Sequence, residues 1–227
     1  MKLEMHAHSF KSSICATADN NYIIDSYLTE GYDGIIITNH LGKKFFDEYC
    51  PNGSYSEQID AYLTFFDEFK ELAEKKGLKV FLGAEVMLSD TNTEFMIMGF
   101  TREFLYQKVL YLLSQEELFR YCDDNGVLMY QTHPFRPGVS PKNPRYMHGA
   151  EAINGHFGYD NGNDLAKEFC KANNLIEFCG TDFHHENQPI TTAIIVDDNI
   201  KNEFELVNAI KDRKYSLMTN ENYNIKR

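Results

Sequence analysis

The 227-residue chain contains no tryptophan, no C-x-x-C pair and no surplus of basic residues. Its five cysteines are odd in number and scattered, which disfavours a disulfide framework or a structural zinc knuckle and predicts the reduced thiols of a cytoplasmic protein. With 22 Lys and Arg against 34 Asp and Glu, the net charge is −12. Because nucleic-acid backbones and anionic membranes bind basic surfaces, we expect neither a stable nucleic-acid complex nor membrane association.

Long apolar runs are also missing. No segment approaches the roughly 18 apolar residues that a membrane span needs, and the N-terminal sequence MKLEMHAHSF has no signal-peptide core. The chain shows no repeat, low-complexity tract or linker. Its 43% hydrophobic and 25% charged residues are ordinary for a globular protein. We therefore expect one domain over residues 1–227; the sequence carries no signal for the oligomeric state.

Short apolar runs alternate with amphipathic stretches over the whole chain, which predicts an α/β fold with a parallel sheet. A continuous apolar strand is expected at residues 34–38. The clearest helix is expected at residues 56–76, with Ser56 as its cap and Gly77 as its end. Polar candidates follow several separate strands, so a closed (β/α) barrel fits better than an open sheet, which binds ligands mostly at one crevice.

Six short motifs follow these strand-like runs. His6 and His8 lie two residues apart on one strand, so their side chains point the same way and can chelate one ion. Asp182 and His184 have the same spacing. Singly each motif is weak, but together they supply imidazole and carboxylate donors suited to zinc, manganese or iron. The motifs are H-A-H at 6–8, T-N-H at 38–40, G-A-E at 83–85, T-H-P at 132–134, E-A-I-N at 151–154 and G-T-D-F-H at 180–184.

This ordered set resembles the polymerase-and-histidinol-phosphatase (PHP) superfamily of metal-dependent phosphoesterases. The resemblance extends from the first motif to the last, and it implies a distorted, TIM-like (β/α)7 barrel with two or three divalent ions (Zn, Mn or Fe) at its C-terminal rim. By this resemblance the first metal is held by His6, His8, Glu85 and Asp182, the second by Glu85 as a bridge together with His133, and the third by His40 and His184.

Three positions depart from the superfamily's pattern. Asn39 stands where an aspartate is usual, which removes a charge near the site. No histidine occurs between residues 41 and 132, so the second metal has one ligand fewer. Cys15 lies where trinuclear members have a histidine or an aspartate; a thiolate ligand fits there, but a small buried thiol is the favoured interpretation. The number of ions therefore stays open between two and three.

A local charge pattern favours an anionic substrate. Residues 125–150 contain no Asp or Glu but hold Arg136, Lys142 and Arg145 and four of the six prolines, which predicts a basic loop. Arg136 lies three residues from His133, and a guanidinium can grip a phosphate with two hydrogen bonds. His185, next to the last motif, is a candidate proton donor to the leaving group.

The predicted function is a metal-dependent phosphohydrolase that acts on a small phosphate monoester, nucleotide or short phosphodiester through a metal-activated water. Two alternatives stay open. An amidohydrolase-like enzyme that attacks a carbonyl would use similar metals and would not need Arg136. A non-catalytic domain that binds metal would explain the departures from the ligand pattern as the decay of a site.

Overall fold

The computed structural model describes residues 1–13, 15–91, 93–158 and 160–219. Its strands are β1 (Lys2–Ala7), β2 (Gly34–Ile37), β3 (His40–Leu41), β4 (Lys79–Met87), β5 (Glu94–Met98), β6 (Leu128–Gln131), β7 (Gly149–Asn154), β8 (Ile176–Gly180), β9 (Thr192–Ile195) and β10 (Ser216–Thr219). Its α-helices are α1 (Asn20–Thr29), α2 (Lys43–Tyr49), α3 (Tyr55–Lys75), α4 (Arg102–Gln107), α5 (Gln115–Asp124), α6 (Asn163–Ala172) and α7 (Glu203–Lys211).

Seven of the described strands follow one another around a ring in the order β1, β2, β4, β5, β6, β7 and β8, and the short β3 pairs with β4. The ring closes just beyond β8. There Ala7 and Phe183 form a parallel bridge, and the His8 amide donates a hydrogen bond to the Phe183 carbonyl at 3.2 Å. A Cβ at Gly180 would lie 2.3 Å from the Cβ of His6, so this close approach requires glycine. The predicted distorted (β/α)7 barrel is confirmed.

The sheet is mixed, so the expectation of a parallel sheet was wrong in part. β5 runs antiparallel to both β4 and β6, and β9 and β10 add an antiparallel pair beside β1. Residues 88–93 alone separate β4 from β5, whereas the crossover between parallel strands takes about a dozen residues or more. This hairpin returns the chain at the C-terminal end of β4, so β5 begins at the rim with Glu94.

The capping residue of the long helix α3 is an earlier serine than expected. Ser54, not Ser56, caps it: the Ser54 hydroxyl accepts a hydrogen bond from the Glu57 amide at 3.4 Å, and the Glu57 carboxylate accepts one from the Ser54 amide at 2.7 Å. This reciprocal capping box requires a glutamate or glutamine three residues after the serine, and Ser56 lacks one. Gly77, with a φ of +89°, ends the helix as predicted.

One continuous apolar core fills the space between the sheet and the helices. The strand residues Leu3, Ile36 and Ile97 are completely buried in it, and α3 packs its apolar face against β4. Among the described residues, no helix is both long and apolar enough to span a membrane. Many of the buried polar residues lie at the C-terminal ends of the barrel strands, where the candidate site is.

The cap of α3 gives a stability prediction with a built-in control. Ser54→Ala should lower the free energy of unfolding by about 0.5–2 kcal/mol, because it leaves the Glu57 amide at the start of the helix without its side-chain acceptor. Ser56→Ala removes the same hydroxyl inside the first turn and should change stability much less. Urea unfolding of both variants measures the difference, and equal losses would contradict the capping role of Ser54.

Candidate metal centre

The carboxylate of Glu85 is completely buried and is surrounded by imidazoles. Its Oε1 lies 3.3 Å from His6 Nε2 and 3.4 Å from His133 Nε2. Its Oε2 lies 3.1 Å from His40 Nδ1 and 3.5 Å from His8 Nε2. The two oxygens therefore face two different sets of nitrogens, which is the arrangement that a carboxylate bridging two ions requires.

Asp182 forms the second half of this cluster and is also buried. Its Oδ1 lies 3.3 Å from His6 Nε2, 3.4 Å from His8 Nε2 and 3.3 Å from His184 Nδ1. His6 and His8 thus face both carboxylates, as their spacing along one strand predicts. The structure brings together all seven predicted ligands, which are His6, His8, His40, Glu85, His133, Asp182 and His184.

Several of the facing atoms have no hydrogen-bond partner although they are buried. They are His6 Nε2, both ring nitrogens of His8, His40 Nδ1 and both oxygens of Glu85. A buried polar atom without a partner costs free energy, and so many at one place indicate a site that is built to hold a cation. Imidazole and carboxylate donors suit zinc, manganese and iron. The residues present therefore fit the divalent ions that the motifs imply.

The carboxylates change the protonation of the histidines around them. Burial by itself lowers the pKa of His6, but the charges of Glu85 and Asp182 outweigh it and raise this pKa well above its usual value. The pKa of His40 shifts in the same direction. Burial and two imidazole neighbours hold the pKa of His8 well below its usual range, so its nitrogens stay free to ligate. His6 and His40 would each have to give up a proton in order to ligate a metal ion.

The local backbone at the ligands differs from the sequence prediction in two respects. Glu85 lies inside β4 rather than after its end. Asp182 and His184 do not share the geometry of a strand, since Asp182 has a φ of +51°. His133 has a φ of +30°, so two of the predicted ligands adopt left-handed backbone conformations that non-glycine residues rarely take.

A second layer of polar residues orients the ligands. Glu151 Oε1 lies 3.0 Å from His6 Nδ1, which assigns the proton of that ring to Nδ1 and leaves Nε2 to face the cluster. The other oxygen of Glu151 accepts hydrogen bonds from the His133 amide at 2.8 Å and from the Asn154 side chain at 2.9 Å. This explains the E-A-I-N motif: it positions ligands and does not itself face the cluster.

Asn39, the first departure from the superfamily's pattern, orients the chain next to His8. Its Oδ1 accepts a hydrogen bond from the Ser9 amide at 2.9 Å, and its Nδ2 donates one to the Ser9 hydroxyl at 2.9 Å. A neutral amide supplies both an acceptor and a donor here, whereas an ionised aspartate would supply acceptors alone.

Glu94 is a site residue that the sequence analysis missed. Its oxygens lie 3.5 Å from His40 Nδ1 and 3.4 Å from His133 Nε2, so it lies beside Glu85 and faces two of the predicted ligands. A carboxylate thus lies beside His133, the predicted ligand of the second metal, in a chain that has no histidine between residues 41 and 132. In the sequence, Glu94 stands out only as a single acidic residue at the start of the apolar run that forms β5.

Cys15 also differs from expectation. It is exposed at the mouth of the site rather than buried, and its Sγ lies 3.7 Å from His40 Nε2. The protein atoms around the sulfur partly desolvate this thiol and so raise its pKa, but hydrogen bonds with His184 and His40 bring the pKa down to about 5.

A cavity of about 280 Å³ opens over the cluster, and Arg136 and His185 both line it. Arg136 donates hydrogen bonds to Asp182 Oδ2 at 2.5 Å and to the side chains of Asn154 and Asn161 at 3.0 Å. His185 Nδ1 lies 2.9 Å from the Thr17 hydroxyl. The two residues predicted to handle substrate thus lie at the mouth of the metal cluster.

No model of a known protein family matches the chain, and no curated protein does. Several solved structures do match the chain. A two-domain protein from Bacteroides vulgatus that contains a predicted PHP-like metal-dependent phosphoesterase is 19% identical, with a TM-score of 0.65 over 96% of this chain and 64% of that one. PsfC from Pseudomonas syringae is 15% identical, with a TM-score of 0.70 over 97% and 91%. The lesion-specific endonuclease Q from Pyrococcus furiosus is 14% identical, with a TM-score of 0.62 over 96% and 57%.

At these identities the likeness establishes the fold. The chain has the barrel of PHP-like metal-dependent phosphoesterases, and the resemblance that its motifs carry is confirmed at that level. The chain spans less than two thirds of the Bacteroides and Pyrococcus proteins.

Proposed function

We propose that this chain is a PHP-type metal-dependent phosphoesterase, a single domain over residues 1–227 that works in the cytoplasm on a small phosphorylated substrate. The observation that carries the proposal is the pair of buried carboxylates, Glu85 and Asp182, surrounded by imidazoles, of which His6, His8 and His40 each have a facing nitrogen without a partner. Two or three divalent ions held there would supply Lewis acids that lower the pKa of water and neutralise phosphoryl charge.

Arg136 is the anion-binding residue of this proposal. Its guanidinium lines the cavity, and the hydrogen bonds to Asp182, Asn154 and Asn161 fix its orientation before a substrate arrives. A fixed guanidinium next to the cluster can hold a phosphoryl oxygen without losing side-chain entropy on binding.

His185 is the proposed proton donor to the leaving group. The Thr17 hydroxyl contacts its Nδ1 and leaves Nε2 as the ring atom that can serve the substrate. His156 lines the same cavity, but burial lowers its pKa to about 4, so it is neutral near pH 7 and is a poor acid.

The size and charge of the site favour a small substrate over a nucleic acid. A cavity of about 280 Å³ is at the lower end of small-molecule sites, which measure about 300–1,000 Å³. The net charge of −12 opposes binding of a long phosphate backbone. The endonuclease Q neighbour makes duplex DNA with an abasic lesion the competitor to test.

Turnover by metal-loaded protein tests the proposal, and Glu85→Gln tests its chemistry. We expect hydrolysis of 4-nitrophenyl phosphate or bis(4-nitrophenyl) phosphate, with no cleavage of abasic duplex DNA. Glu85→Gln removes the bridging charge, so bound metal should fall at both positions and turnover should drop by at least about 100-fold. Glu48→Gln, the same change at the cavity mouth, is the control. Hydrolysis of 4-nitrophenyl acetate alone would favour the carbonyl-directed enzyme, and a fully metallated, active Glu85→Gln protein would exclude the bridge.

Arg136→Ala should raise the Michaelis constant for a phosphate ester by about 10-fold to 150-fold, which corresponds to the loss of a charged hydrogen bond of about 1.5–3 kcal/mol. Arg145→Ala, the same charge change on an exposed part of the basic loop, should have little effect. Because Arg136 also contacts Asp182, metal content has to be measured on the same samples. An unchanged Michaelis constant in fully loaded protein would remove Arg136 from substrate binding.

His185→Ala should slow hydrolysis of an alkyl phosphate much more than that of 4-nitrophenyl phosphate, because nitrophenolate leaves without a proton and an alkoxide does not. His156→Ala is the matched control. Equal losses on both esters would show that His185 does not protonate the leaving group.

A further inference from the structure

Three residues at the mouth of the site form a group that is distinct in chemistry from the carboxylate cluster. Cys15 Sγ lies 3.7 Å from His40 Nε2, and His40 Nε2 lies 3.4 Å from His184 Nε2. The Nδ1 atom of His184 lies 2.9 Å from the backbone carbonyl of Asp182, so its proton is on Nδ1 and the lone pair of Nε2 points at this group. One sulfur and two imidazole nitrogens therefore converge.

A completely buried side chain points into the same place. His8 has no hydrogen-bond partner on either ring nitrogen, and its ring lies 4.4 Å from that of His40 and 4.1 Å from that of His184. The ligand atoms that His8, His40 and His184 offer lie within 4.8 Å of one another. Three imidazoles so close together repel one another when protonated, whereas one cation satisfies all of them.

The loop that carries Cys15 is fixed to the ligands. The amides of Thr17 and Ala18 both donate hydrogen bonds to the His184 carbonyl, at 2.9 and 3.0 Å. The Ser13 hydroxyl lies 3.0 Å from Cys15 Sγ. The backbone of this loop is therefore tied to His184, which keeps Cys15 beside that residue, and the Ser13 hydroxyl contacts the sulfur.

The donors at the neighbouring position are of the opposite kind. Glu85 and Glu94 supply carboxylate oxygens there, together with His133. Hard oxygen donors favour manganese or iron, whereas a thiolate with imidazoles is a typical donor set for zinc. Glu94 thus makes its side of the centre better suited to manganese or iron, and Cys15 makes the other side better suited to zinc.

We propose that Cys15 is a thiolate ligand of a third metal position, with His40 and His184, and that its sulfur makes this position selective for zinc while Glu94 directs manganese or iron to the second position. The proposal rests on the metal centre of the proposed function. It adds one ligand and assigns different metals to the second and third positions. On binding, the thiol proton leaves to solvent and a metal–sulfur bond forms.

Cobalt(II) alone is the probe, because a cobalt–thiolate bond gives a charge-transfer band in the near ultraviolet and cobalt bound to nitrogen and oxygen does not. Apoprotein saturated with cobalt should show this band. Cys15→Ser should lose the band and keep the visible bands of cobalt at the other positions. Cys50→Ser is the control, since Cys50 also has accessible surface but lies beyond the end of α2, and it should keep the band.

Metal analysis after growth with both zinc and manganese gives the second measurement. Cys15→Ser should lose about one zinc per chain and retain manganese, and Glu94→Gln should show the reverse. A cobalt-loaded wild-type protein without the band, or equal zinc contents in wild type and Cys15→Ser, would overturn the proposal. The band does not depend on turnover, so a band without phosphoesterase activity would leave Cys15 as a ligand and reject the proposed function, whereas activity without the band would do the opposite.

Discussion

The burial of Glu85 and Asp182 is the constraint on which the rest of this molecule depends. Two ionised carboxylates at the rim of a barrel cannot be left unpaired without a large cost in free energy. Imidazoles from β1, from β3 and from the segments after β6 and β8 surround the two carboxylates. Strands that are distant in the chain must therefore end at the same point. The positions of those strand ends, and hence the shape of the barrel, follow from the need to surround these charges.

The contacts that close the barrel also bring residues of the candidate site together. Between β1 and β8 the regular pairing is reduced to one bridge, and the buried Glu4 supplements it. One of its oxygens accepts hydrogen bonds from the His6 amide at 2.8 Å and from the Thr181 amide at 2.9 Å. Burial raises the pKa of Glu4 to about 7. A single carboxyl group thus joins the strand that carries the H-A-H motif to the segment that carries Asp182.

The sequence predicts the parts of the site that depend on strand periodicity. His6 and His8 share a face because side chains alternate along a strand, and this needs no tertiary information. Asp182 and His184 do lie beside the other predicted ligands, but through a left-handed backbone conformation at Asp182 that no strand periodicity reveals. Glu94 was missed because an antiparallel hairpin brings it to the rim, whereas the alternating pattern indicated parallel strands. The sequence allows Cys15 as a thiolate ligand but favours a small buried thiol, because its exposure depends on a loop tied to His184 by backbone hydrogen bonds that residue types do not reveal.

The contact between Arg136 and Asp182 joins the substrate pocket to the metal cluster through one pair of atoms. An anion bound to the fixed guanidinium would take up part of its positive charge and so leave more negative charge on Oδ1, the oxygen that faces His6 and His8. A metal ligand becomes a better donor as it loses a competing cation. If the proposed metal and anion both bind, this contact would couple them, and the coupling would be reciprocal: each would raise the affinity of the other by the same factor.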